Sequence, residues 1–295
     1  MKTRAIRRQP RPTPPVPFPR QPWPDRIRGS AVLLMVAYHF CFDLDHYGLI
    51  HQNFNTDGRW LGFRAVIISL FMATLGASVL LAHPLAVQWR ALWRRQLRLG
   101  AACVAVSLGS SLMFPASWIW FGTLHFAWVA TWLALLLRPL AGHWLLLPLA
   151  AVLIWAGNGP AFAAFDHPWL GWVGLMTHKP YTEDYVPLLP WFAAVVVGLW
   201  FAGRGLAGPG LDAPGLASPG LAMQGAGAAA VHADAASPSA AADRSGAGRR
   251  VEIEPPRFRR LDAALRQLGR HSLLVYLLHQ PVLIGLFELR QLIGP

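Results

Sequence analysis

One apolar, membrane-length stretch near the N-terminus, residues 26–47, carries three side chains at helical spacing that can exchange protons. They are His39, Asp43 and His46, and spacings of four and three residues put all of them on one face of a helix. An ionisable group is costly in hydrocarbon, so such groups usually mark functional sites in membrane proteins. We therefore predict that this face looks into protein or water. A histidine there can take up and release protons near neutral pH.

Other apolar segments carry polar side chains at similar depth. His125 lies in the sequence WFGTLHFAW, while His279 and Gln280 lie near the middle of the last apolar segment. A single buried histidine is more often a hydrogen-bonded structural residue, which leaves both interpretations open for His125. Taken with His39 and Asp43, these groups predict a polar path through the membrane. Along such a path, a histidine aligned by a carboxylate can act as a general base on a hydroxyl or amine.

Arginines at one end of the predicted helices offer a second kind of chemistry. Arg26 and Arg28 precede the first apolar segment, and Arg94, Arg95 and Arg98 precede the third. The guanidinium group presents a fork of donors that suits phosphate. These five residues are therefore candidates for holding the phosphates of a donor molecule. The alternative is that they only anchor loops on the cytoplasmic side of a membrane.

The composition is that of a polytopic membrane protein. Of the 295 residues, 54% are hydrophobic and 14% are charged, against about 25% charged in an average soluble domain. A helix needs about 20 apolar residues to cross a hydrocarbon core of roughly 30 Å. We predict an all-α bundle of about seven transmembrane helices, at about 29–48, 61–82, 99–114, 117–137, 140–157, 187–203 and 271–289.

The distribution of charge predicts a cytoplasmic N-terminus. With that orientation, 22 of the 26 lysines and arginines lie on the cytoplasmic side, as the positive-inside rule requires. The membrane thus accounts for most of the net charge of +12, and we expect no nucleic-acid partner. The partner that the sequence predicts is the lipid bilayer.

Composition also divides the chain into five parts. An Arg- and Pro-rich tail, predicted to be disordered, is followed by the first six helices, a low-complexity cytoplasmic linker, an amphipathic interfacial helix and the final transmembrane helix. Their predicted ranges are 1–24, 25–204, 205–256, 257–270 and 271–295. The two cysteines, Cys41 and Cys103, offer neither a disulfide framework nor a metal-ligand spacing, and we expect no metal.

Four blocks of sequence resemble a known family. RIRGSAVLLMVAYHFCFDL, FGTLHF, DYVPLLPW and LGRHSLLVYLLHQPVL are similar to those of bacterial relatives of the heparan-alpha-glucosaminide N-acetyltransferase catalytic domain, in the wider transmembrane acyltransferase superfamily. The order and spacing of Arg28, Gly29, Ser30, Ala31 and His39 are also similar to a block of the acyltransferase-3 family. The resemblance runs from about residue 25 to 289, apart from the linker.

This resemblance implies a multi-pass enzyme of the bacterial inner membrane. It would move an acyl group, most simply acetyl, from cytoplasmic acyl-CoA to a glycan or small-molecule acceptor at the outer face. We favour His39 as the base with Asp43 orienting it, and His46 as the alternative base. The full predicted catalytic set is His39, Asp43, His46, His125 and His279; the predicted acceptor-binding set is Asp184, Tyr185, Trp191 and Gln280.

Two other functions are alternatives to acyl transfer. A proton-coupled transporter or flippase would use the histidines and Asp43 as a proton relay. A catalytically silent membrane scaffold would not use them at all. The sequence predicts no oligomeric state.

Overall fold

The computed structural model describes residues 21–206 and 256–294, with side chains from Arg259 onward in the second range. The predicted N-terminal tail and linker lie almost wholly outside these ranges. The described residues contain helices and no strands, which confirms the predicted all-α fold. The helices are α1 (Trp23–His46), α2 (Gly58–Ala82), α3 (Trp89–Met113), α4 (Thr123–Leu137), α5 (Leu146–Asn158), α6 (Leu188–Leu206), α7 (Pro256–Arg270) and α8 (Ser272–Ile293).

Six of the described helices are long and apolar enough to cross a membrane: α1, α2, α3, α4 with its following turn, α6 and α8. The chain is therefore a multi-pass membrane protein. The fifth predicted span corresponds to α5, which has 13 residues. Its length is about 20 Å at 1.5 Å per residue, so it covers only part of a hydrocarbon core of roughly 30 Å.

Several helices begin at residues other than those predicted, including α1, α3, α4 and α5. Helix α3 starts at Trp89, about ten residues earlier than expected, because its arginine-rich first turns are good helix formers whose charged ends can reach the membrane surface. Helix α4 starts at Thr123 and not near residue 117. The segment before it is irregular, and Ser117 there is buried and donates a hydrogen bond to Glu183 in the loop before α6.

The main hydrophobic core lies between α2, α4, α5 and α6. Its fully buried side chains include Met72, Phe126 and Leu199. Helices α2 and α6 touch at backbone level, since a Cβ on Gly76 or Gly198 would overlap a backbone carbonyl of the other helix. Small residues allow this close approach in membranes. Helices α1, α3 and α8 lie beside this core and carry most of the predicted site.

Helix α7 packs on the start of α1, at the end of the bundle that the charge pattern predicts to be cytoplasmic, called the inner end below. Gly29 lies against the carbonyl oxygen of Leu265, and Gly269 against that of Asp25. Arg26 forms an ion pair with Asp262 across the same contact. The predicted interfacial position of α7 stays a prediction.

Replacement of Gly29 by valine is expected to release α7 from α1, because any Cβ at this position overlaps the Leu265 carbonyl. Overpacking of this kind costs roughly 1–3 kcal/mol, which corresponds to amide exchange in α7 that is roughly 5- to 150-fold faster. Hydrogen–deuterium exchange of residues 259–270 measures it. Gly62→Val is the matched control, since a Cβ on Gly62 meets no atom within 4 Å. Unchanged exchange in Gly29→Val would mean that the close contact does not hold α7.

Candidate active site

The structure brings two predicted histidines from distant parts of the sequence together. The ring centroids of His39 on α1 and His279 on α8 lie 4.9 Å apart. The ring of Tyr276 lies 5.8 Å from that of His279 and packs against an apolar cluster of α3 and α4. The site is therefore formed where α1 and α8 meet α3 and α4.

Asp43 is the buried carboxylate of this site. Asp43 is buried, and its Oδ1 accepts a hydrogen bond of 2.9 Å from Nε2 of Gln280. Among the described hydrogen bonds, none joins Asp43 to His39. The expected orientation of His39 by Asp43 is thus not seen; Asp43 instead orients Gln280, the neighbour of His279.

The hydrogen bonding of His279 shows which of its two ring nitrogens carries the proton. Nδ1 lies 2.7 Å from the backbone carbonyl oxygen of Tyr276. A carbonyl oxygen can only accept, so Nδ1 carries the proton, and in a neutral ring Nε2 is then an acceptor. The atom of His279 that can take a proton is therefore Nε2.

Three buried acceptor atoms of this site have no hydrogen-bond partner. Across the described residues, four buried side-chain atoms lack one: Asp43 Oδ2, Gln280 Oε1, His279 Nε2 and Gln96 Oε1. The first two belong to the hydrogen-bonded pair Asp43 and Gln280, and the third belongs to His279, which precedes Gln280 in the chain. Leaving such an atom unpaired costs roughly 1–3 kcal/mol, and each would be satisfied by a ligand that donates hydrogen bonds.

Asp184 ties the loop before α6 to the N-terminus of α4 and to α8. Its Oδ2 accepts from the backbone N–H of Thr123 at 2.7 Å and from the hydroxyl of Tyr276 at 2.9 Å. Gly122 gives the carboxylate room, since a Cβ there would overlap it. A carboxylate is favourable at a helix N-terminus. Asp184 was predicted to bind the acceptor, but its oxygens are engaged within the protein.

His125 and His46 do not join the histidine pair. Nδ1 of His125 accepts from the Gly122 N–H at 3.3 Å, and Nε2 lies 3.2 Å from the hydroxyl of Ser107. With both nitrogens engaged, His125 links α3 to α4, as in the structural interpretation. His46 is exposed at the opposite, outer end of α1, with its ring against Tyr47.

Two predicted acceptor-binding residues have their contacts elsewhere. The hydroxyl of Tyr185 donates to the carbonyl of Gly171 at 2.6 Å, and burial raises its pKa to about 12, so it remains protonated and stabilises the outer loop. Trp191 lines an apolar cavity of about 330 Å³ with residues of α2 and α5, including Ala73 and Ile154. These placements do not support acceptor binding by Tyr185 or Trp191.

The five predicted phosphate-binding arginines separate into different environments. Arg28 donates to Ser78 at 2.6 Å and pairs with Asp25. Arg95 is half-buried, lies within electrostatic range of Arg28, and makes no ion pair with any described residue. The other three have different surroundings: Arg26 is paired with Asp262 of α7, and Arg94 and Arg98 are exposed.

The inner ends of α1, α2 and α3 therefore carry a positive field around Arg28 and Arg95. His83, just after α2, is buried, and its pKa is lowered by burial and then by the cations of Arg95 and Arg138. Arg138 donates to the carbonyl oxygen of His83 at 2.7 Å. Such a cluster attracts anions.

Tyr276 and Thr123 were not predicted as site residues. Tyr276 stands three and four residues before His279 and Gln280, which is the spacing that shares a helix face, so this signal was present. Thr123 has no comparable signal, because its role comes from the position where α4 begins. No group of three or more histidine, cysteine or acidic side chains in the described part of the chain could hold a metal ion.

A family model described as "Heparan-alpha-glucosaminide N-acetyltransferase, catalytic" matches residues 20–217 of the chain. The match contains α1 to α6, and therefore His39, Asp43 and the arginines, whereas α7 and α8 lie beyond it. No curated protein and no solved structure matches.

Proposed function

This chain belongs to the heparan-alpha-glucosaminide N-acetyltransferase catalytic family and is accordingly a membrane acetyltransferase; we propose that it takes the acetyl group from cytoplasmic acetyl-CoA. The acceptor is a hydroxyl or amino group of a glycan or related small molecule at the outer face of a bacterial cytoplasmic membrane. The reaction takes place beside His39 and His279.

The three unpaired buried acceptors around the histidine pair carry this proposal. Asp43 Oδ2, Gln280 Oε1 and His279 Nε2 all accept hydrogen bonds and none donates. The complementary ligand is one that offers several O–H or N–H groups to a confined site. Amino sugars and polyols have this property.

The donor is placed by the basic cluster at the inner end. Arg28 and Arg95 bind its phosphates, since guanidinium groups suit phosphate. Arg28 and His39 lie on the same helix and are separated by about 16 Å along its axis at 1.5 Å per residue. The extended pantetheine arm of CoA bridges such a separation, so the phosphates stay at the surface while the thioester reaches the histidines.

The chemical step needs one base. A histidine nitrogen takes the proton from the acceptor O–H or N–H as the oxygen or nitrogen attacks the thioester carbonyl. The new C–O or C–N bond forms, the C–S bond breaks, and the CoA thiolate leaves. General-base catalysis of this kind contributes roughly 100- to 10,000-fold to a rate.

The test uses the full chain in detergent with acetyl-CoA and D-glucosamine. We expect release of free CoA, measured with a thiol reagent, and an equal amount of acetylated sugar, measured by mass spectrometry. A parallel experiment in proteoliposomes follows labelled glucosamine. Uptake into vesicles without covalent change, and without release of CoA, would overturn the proposal in favour of a transporter.

A further inference from the structure

Tyr276 makes two hydrogen bonds that act on the same part of the site. Its hydroxyl donates to Oδ2 of Asp184 at 2.9 Å. Its backbone carbonyl accepts the Nδ1 proton of His279 at 2.7 Å. The proposed function assigns no role to this residue, although it lies between the histidine pair and the N-terminus of α4.

The first hydrogen bond fixes the position of α8. This helix has little buried apolar surface, because Phe287 is its only buried residue among those described, while Leu274, Leu278 and Leu286 are more than half exposed. Apolar packing therefore only weakly determines how far α8 lies along the axis of the helix bundle. Polar links hold the helix in place: Gln280 reaches Asp43 on α1, and the hydroxyl of Tyr276 reaches Asp184, which the backbone N–H of Thr123 holds in turn.

The second hydrogen bond fixes the proton on His279. With Nδ1 as the donor to the Tyr276 carbonyl, the acceptor atom is Nε2. That atom is buried and without a partner among the described residues, and the centroid of its ring lies 4.9 Å from that of His39. A partner that fixes one nitrogen of a histidine decides which nitrogen does the chemistry.

We propose that Tyr276 is a positioning residue for the acetyl transfer, selecting Nε2 of His279 as the atom that takes the acceptor's proton and holding it at the depth of His39 through Asp184. This inference rests on the proposed function. In the step above, the proton of the acceptor passes to Nε2 of His279, whose ring becomes an imidazolium with Nδ1–H still bonded to the Tyr276 carbonyl.

Tyr276→Phe tests whether the hydrogen bond to Asp184 holds His279 at the level of His39. The variant keeps the ring but removes the donor to Asp184. We expect kcat with D-glucosamine to fall roughly 10- to 100-fold, since a displacement of about 1 Å can cost about 100-fold, with the KM for acetyl-CoA unchanged. Tyr47→Phe is the matched control: it removes a hydroxyl that links α1 to α8 through Glu288 at 2.7 Å, away from the site. Equal kcat values for wild type and Tyr276→Phe would overturn the proposal.

Nitrogen-15 NMR of histidine-labelled protein tests the tautomer without any assay. The signals of His279 are assigned by their loss in His279→Gln, and we expect the shifts of a neutral ring protonated at Nδ1. Protonation at Nε2 would overturn the proposal even if the protein transfers acetyl groups. Conversely, an Nδ1-protonated ring in an inactive wild type would count against the proposed function and leave the tautomer assignment supported.

Discussion

Glutamine in place of His279 is expected to lower kcat for acetyl transfer by roughly 100- to 10,000-fold, the usual contribution of a general base. The side chain remains polar and of similar length, so the contact of α8 with α1 is retained, but the acceptor nitrogen is lost. The KM for acetyl-CoA should stay within about twofold, because the phosphates bind at the other end of the site. Steady-state kinetics in detergent with acetyl-CoA and D-glucosamine measure both quantities.

His39→Gln distinguishes the two histidines. No described hydrogen bond fixes the tautomer of His39, whereas Nδ1 of His279 is held by a carbonyl, so we expect the smaller loss in His39→Gln. His51→Gln, an exposed histidine of the outer loop, is the control and should match wild type. If His39→Gln is inactive while His279→Gln retains its rate, the base is His39, as the sequence predicts.

Much of the fold follows from hydrophobic length alone. Helices α2 and α6 were predicted at 61–82 and 187–203 and lie at Gly58–Ala82 and Leu188–Leu206, because long apolar segments leave the backbone little choice in a membrane. The starts of α3 and α4 were less predictable. The first depends on arginines that extend a helix past the hydrocarbon, and the second on Asp184 capping Thr123 from a distant loop.

The sequence predicted which residues belong to the site but not which of them contact each other. Spacing within α1 showed that His39 and Asp43 share a face, yet their closest polar partners, His279 and Gln280, come from the far end of the chain. A helical face is wide enough for neighbouring side chains to have different partners. The expected His39–Asp43 unit was therefore replaced by two contacts between helices.

The arginines of α3 show how burial decides between faces. Arg94, Arg95 and Arg98 were all predicted to bind phosphate, but Arg94 and Arg98 are exposed. The buried apolar positions of this helix are Leu92, Leu99, Ala102 and Cys103. Arg95 lies on their side. The apolar stripe of α3 was therefore the signal in the sequence for which guanidinium group turns inward.

Arg95→Gln is expected to weaken acetyl-CoA binding by roughly 10- to 100-fold, since a hydrogen bond to a charged group contributes about 1.5–3 kcal/mol. Arg95 is a cleaner probe than Arg28, because the latter also holds Ser78 and Asp25, whereas Arg95 has no ion pair among the described residues. Isothermal titration with acetyl-CoA measures the Kd, and kcat at saturating donor should be preserved. The Kd of Arg95→Lys for acetyl-CoA should lie between those of wild type and Arg95→Gln, since lysine keeps the charge but lacks the fork of donors.

Arg90→Gln is the matched control, because it removes the same charge from an exposed position on the same helix. Arg90→Gln should change the Kd for acetyl-CoA only slightly. This change should vanish at high salt, where charges farther apart than the screening length no longer interact. The half-buried Arg95 is less accessible to screening ions, so the difference in Kd between Arg95→Gln and wild type should persist at high salt. If Arg95→Gln binds acetyl-CoA normally while an Arg94→Gln, Arg98→Gln double variant does not, the phosphates lie on the exposed face of α3, and the donor must reach His39 and His279 by another route.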